Sequence, residues 1–129
     1  QSVFIGAAGS WGVKQSPVGA IRAANTMAQV MPERGGNIEL LRQFLNVRDE
    51  RDFILTAVWL AYCIAAPDLP KPIICLHGSK GAGKSTFQRV LRRLMDPAAA
   101  QLTSLPSGDE QFALLAEKNY LLNFDNLKI

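Results

Sequence analysis

The stretch ICLHGSKGAGKSTF, Ile74 to Phe87, constrains the fold more than any other part of this 129-residue chain. An apolar run, Pro72 to Leu76, passes directly into Gly78-Ser79-Lys80-Gly81-Ala82-Gly83-Lys84-Ser85, which fits the pattern GxxxxGK[ST], and then into helical periodicity. Glycines without a Cβ let such a loop curl so that successive N–H groups face an anion, and the helix that follows adds its positive end. Lys84 is then placed to neutralise the β- and γ-phosphates of a nucleotide. Ser85 is placed to take one position on Mg²⁺, Thr86 to reach a more proximal phosphate, and Lys80, at the loop tip, to add a further contact. At about 7% glycine usage, the four fixed positions arise by accident in a chain of this length on the order of once in a few hundred.

A second signal lies downstream. YLLNFDN ends an apolar run on Asp125, where a carboxylate would hold the water shell of the loop's Mg²⁺. An acid in that position is more often a cap or turn former, but the interval from the loop favours the metal-linked reading. Pro72–Leu76 has no polar alternate and predicts a parallel strand covered on both faces. From Lys84 a helix is expected with Phe87, Val90, Leu91, Leu94 and Met95 on its apolar face and Arg89, Arg92 and Arg93 opposite. A strand at Gln101–Leu105, a helix at Glu110–Lys118 and a last strand at Tyr120–Phe124 complete an α/β alternation, the pattern of a mostly parallel sheet flanked by helices.

Upstream, residues 1–36 read as an irregular or β-containing lead-in, and 37–71 as a helical segment packing on the core of 72–129. Asn37 can cap a short helix through Leu45, and the acids of NVRDERD favour a second helix start. Phe53–Ala66 is apolar apart from Thr56, yet shorter than the roughly 20 residues a bilayer-spanning helix needs, so a buried helix is expected and no membrane partner. PDLPKP then stops it.

The net charge of +3 leaves a nucleic-acid partner undecided. Cys63 and Cys75 both read as small buried hydrophobes, which fits a reducing, cytoplasmic setting. No secretory leader is visible at Gln1, and the missing initiator Met suggests an excised piece. His77 has no second His or cysteine pair with metal spacing beside it and reads as structural. The three arginines of the Lys84 helix read as a solvated face before they read as DNA contacts, and Trp59 and Tyr62, with Trp11, as packing rather than base-stacking groups. Asp109 and Glu110 suit a helix start.

From Arg34 to Leu127 the chain resembles the ATP-binding proteins of phages and integrated mobile elements, related to replicative helicases and often associated with primase modules. FLNV, GKST, RRLMDP and FDNL carry the resemblance most specifically. It implies an additional-strand P-loop NTPase core near the superfamily 3 and AAA+ helicases, truncated here after the Walker B strand. It also implies ATP and Mg²⁺ held by Gly78 to Thr86 with Asp125, DNA as partner, a primase module nearby and a homo-oligomeric ring in the full-length form. Such ATPases commonly follow the metal-linked Asp with a general-base Glu, whereas this chain has Asn126, whose amide can orient a water but cannot take its proton. Their later sensor residue and arginine finger would lie past Ile129, as would a strand between the two that carry the loop and Asp125.

The function expected from these readings is an ATPase domain of a helicase- or primase-like replication protein, with Lys84, Asp125 and Asn126 serving the chemistry. A nucleotide-binding module without turnover and a small-molecule kinase are the alternatives.

Overall fold

The computed structural model describes residues 2–5, 10–15, 26–125 and 127. At the start, strand β1 (Ser2–Ile5) pairs antiparallel with β2 (Trp11–Lys14), Ser2 facing Lys14 and Ile5 facing Trp11. A 3-10 helix (Ile38–Phe44) and three α-helices follow: α1 (Glu50–Ala65), α2 (Lys84–Met95) and α3 (Asp109–Lys118).

Local chemistry fixes the helix starts. Asn37 Oδ1 accepts the Glu39 N–H at 2.9 Å, and Asp49 Oδ1 accepts the Asp52 N–H at 3.0 Å, each satisfying an amide that has no partner inside its helix. Glu50 and Asp52 add negative charge to the first turn of α1, where the helix dipole favours it.

The core forms where α1 meets α2. Phe53, Leu60 and Cys63 recur at helical spacing on α1, Phe87, Leu91 and Met95 at every fourth position on α2, and Leu41 and Leu45 close one end. Each of the leucine, phenylalanine and methionine side chains contributes about 1.5–3 kcal/mol on burial. Thr56 sits in the same row and donates its hydroxyl to the Asp52 carbonyl at 2.8 Å, so no polar group is left bare there. The opposite side of α1 is open: Ile54, Leu55, Val58 and Ile64 are half exposed or more. The helix expected to be buried is thus buried along one stripe only.

The parallel sheet flanked by helices that the sequence predicts is not formed. Among the described residues the only sheet is the β1–β2 pair. Pro72–Leu76 is extended but unpaired, and it is covered on one side: Ile74 and Leu76 pack on the core, while Ile73 is 90% exposed and Cys75 is exposed too. The reading of Cys75 as a buried hydrophobe fails with it. Gln101–Leu105 and Tyr120–Phe124 touch through one isolated parallel bridge, Thr103 to Phe124. Two backbone bonds make it, Thr103 N–H to Asn123 C=O (3.0 Å) and Asp125 N–H to Thr103 C=O (3.1 Å).

The physical reason lies in α2 and its C-cap residue, Asp96. Asp96 Oδ2 accepts the N–H groups of Tyr120 and Leu121 at 2.7 and 3.0 Å, diverting two donors that a sheet ladder would need. Prolines at 70 and 72 remove donors from the entry to the other expected strand. In place of a sheet, a polar row on α2 grips the 119–125 segment. Arg92 Nη2 donates to Asn119 Oδ1 (2.6 Å), Gln88 Nε2 donates to the Phe124 carbonyl (3.0 Å), and Asn123 Nδ2 donates to the Gln88 carbonyl (2.8 Å). Arg92 is only 3% exposed and pairs with Asp96 at 3.1 Å, so it is not part of a solvated basic face, and Leu94, expected in the core, is half exposed.

Replacing Asp96 with Ala would strand the buried Arg92 guanidinium and two backbone amides, and should destabilise the fold by about 3–5 kcal/mol. Leu94→Ala, on the exposed side, should change stability by no more than about 0.5 kcal/mol. Urea unfolding followed by circular dichroism measures both.

Candidate functional site

The glycine-rich loop occupies the turn between the extended Pro72–Leu76 segment and α2. Gly81 and Gly83 have φ of 84° and 81°, left-handed backbone that glycine adopts without the cost a Cβ would impose. Ala82 N–H donates to the Ser79 carbonyl at 3.2 Å and closes the curl. The first bond of α2 runs from Phe87 N–H to the Gly83 carbonyl at 2.9 Å, and Gly83, at the cap position, supplies no side-chain acceptor. The amides of Lys84, Ser85 and Thr86 therefore leave the helix start without intrahelical partners, at the positive end of the dipole.

Lys84 arches back over the loop. Its Nζ donates to the carbonyls of Gly78 and Ser79, both at 2.8 Å, bringing the ammonium across the mouth of the curl. Gly78 is held tightly there: a Cβ on it would lie 3.1 Å from that of Ala82.

Ser85 Oγ donates to Asp125 Oδ2 at 3.1 Å, joining residues 40 positions apart. The polar row of α2 brings this about, since Gln88 holds the Phe124 carbonyl one residue away and Thr103 holds the Asp125 amide. Lys80, Gly81, Ala82, Gly83, Lys84, Ser85, Thr86 and Asp125 together line a recess of about 540 Å³, a size typical of small-ligand sites. Gly78 and Ser79 stand behind it as carbonyl acceptors for Lys84. Asn126 lies outside the described residues.

One hydroxyl and one carboxylate suit Mg²⁺, which keeps most of its shell as water and phosphate oxygen, and they do not suit a metal that needs a full protein cage. Among the described residues no group of three or more His, Cys, Asp or Glu could hold a metal. Burial pushes the Cys63 thiol up, away from thiolate chemistry. Trp59 and Tyr62 donate to the carbonyls of Pro72 (2.9 Å) and Pro70 (3.2 Å), tying the proline segment to α1. No helix among the described residues is long and apolar enough to cross a membrane.

Sequence reasoning missed Asn46, whose Nδ2 donates to the Ala82 carbonyl at 3.0 Å. It also missed Gln88 and Arg92 as the residues that hold the Asp125 segment. A row at 85, 88, 92 and 96, spaced as one helical stripe, was the available signal.

A family model described as actinomycete integrative conjugative element replication protein matches residues 38–129. No curated protein and no solved structure matches the chain.

Gly83→Ala would meet ordinary contact distance, its Cβ lying 3.6 Å from that of Asn46, so its cost is that of the left-handed backbone alone, about 1–2 kcal/mol. Thermal unfolding should show the corresponding drop in midpoint, and an unchanged midpoint would mean that the loop has another conformation.

Proposed function

The chain belongs to the family of actinomycete integrative conjugative element replication proteins, and on that premise we propose that its glycine-rich loop binds the triphosphate of ATP with Mg²⁺. The observation that carries the reading is the convergence on one recess of an uncapped helix start, the Lys84 ammonium and the Ser85–Asp125 pair. Each answers a separate need of a metal-bound triphosphate: amide donors, a positive charge and a hydroxyl–carboxylate edge.

In this reading Lys84 exchanges the Gly78 and Ser79 carbonyls for phosphate oxygens, and the first-turn amides of α2 take others. Ser85 and Asp125 are the residues that would hold Mg²⁺, which when bound would neutralise charge on the phosphates. The sequence assigns Asn126 the part of orienting a water for in-line attack, which its amide would do without taking the proton. The replication role on DNA would draw on this turnover, as in a helicase, with a primase module and a ring of copies as the setting that the sequence resemblance implies.

A second reading, ATP binding without turnover of its own, is favoured by one feature. Asp125 is the only carboxylate among the described residues lining the recess, so no second acid is at hand as a base.

Calorimetric titration with ATP and Mg²⁺ tests the common part. Lys84→Ala should weaken binding by about tenfold or more. Asp125→Asn should reduce affinity in Mg²⁺ toward the value measured in a chelator. Phosphate release stimulated by single-stranded DNA selects turnover, and binding without ADP formation selects the second reading. Binding that Lys84→Ala leaves unchanged would refute both.

A further inference from the structure

We propose that Asn46, between the 3-10 helix and α1, is a positioning residue that sets the direction of the Gly83 N–H toward bound phosphate. The inference rests on the phosphate-binding reading above and extends it to a residue 36 positions upstream of the loop peptide it touches.

Asn46 Nδ2 donates to the Ala82 carbonyl at 3.0 Å, and its Cβ lies 3.6 Å from the place a Gly83 Cβ would occupy. The Ala82 carbonyl and the Gly83 N–H belong to one peptide unit. No peptide bond among the described residues is cis, and in a trans unit these two groups point in opposite directions. Holding the carbonyl on Asn46 therefore turns the Gly83 N–H to the far side. Ala82 and Gly83 both line the recess, and the Ala82 N–H is already spent on Ser79.

This peptide needs an external hold. Rotating it changes ψ of Ala82 and φ of Gly83, and a glycine resists such a flip less than any other residue. Asn46 is well placed to supply the hold because its neighbours are anchored. Leu45 is 5% exposed, with φ −112° and ψ 120°, and Val47 packs on the same core. Extended alternation then directs the side chain between them away from that core. Only the nitrogen end of an amide can serve a carbonyl acceptor, which an aspartate in the same shape cannot do.

The test follows the wild-type chain, Asn46→Ala and Asn46→Asp through a titration with ATP and Mg²⁺, by calorimetry and by ¹H–¹⁵N spectra. In the wild type the Gly83 amide should shift on binding. Asn46→Ala should lose about fivefold in affinity, the worth of one ordinary hydrogen bond, and Asn46→Asp more. In both variants the Gly83 response should be lost while the Lys84 and Ser85 amides still respond. Asn46 is exposed, so its removal leaves the core intact. An undiminished Gly83 shift in Asn46→Ala, whatever its stability, would overturn the assignment. A wild-type chain that binds no ATP would instead sink the phosphate reading on which it rests.

Discussion

The contact on which the candidate site depends is the polar row of α2 against residues 119–125. Ser85, Gln88, Arg92 and Asp96 succeed one another along one stripe, and each meets a group on a chain segment running the other way. Arg92 and Asp96 are buried, so the row is costly to leave unpaired and correspondingly selective for the alignment that pairs its charges, even though Gln88 Oε1 and Arg92 Nε find no partner in it. That alignment places Asp125 beside Ser85. A helix that packed by apolar groups alone could let the segment slide by a residue, and the carboxylate would then miss the loop.

The apolar stripe and the polar row divide α2 between two tasks. Phe87, Leu91 and Met95 hold α1, and through it the proline segment that leads into the loop. The polar row holds what comes after. The result is a core that is deep on one side and open on the other, with α1 showing Ile54, Leu55, Val58 and Ile64, and the extended segment showing Ile73.

How much of this the sequence discloses follows from the range of each interaction. The loop is legible because its chemistry is local: glycine at 81 and 83 serves a backbone that a Cβ would strain, and Lys84 reaches over it from the next helical turn. The start of α1 is legible for the same reason, since Asp49 caps it three residues away. The expected sheet fails because pairing is decided by distant groups, and Asp96 takes the amides of Tyr120 and Leu121 that apolar character alone would assign to a strand. Arg92 misleads in a related way. In a helical projection it lies with Arg89 and Arg93, and only the position of Asn119 shows that its guanidinium is enclosed. Asn46 lies within FLNV, a stretch that carries the family resemblance, but nothing in the sequence ties its side chain to the loop, because an asparagine in a turn has an ordinary explanation.

These contacts brace the loop from two directions. Asn46 reaches it from the chain that precedes it, and Asp125 meets its last residue from the chain that follows. Both braces are anchored in one core: Leu45 and Val47 flank Asn46 and pack with Phe87, while Leu121 packs there from the segment that ends in Asp125. A shift of α1 against α2 would thus carry Asn46 relative to the loop while the polar row keeps Asp125 with α2, and so change the curl between them. The loop conformation is set by the packing of the whole described core, although the residues that would touch phosphate are nearly contiguous in sequence.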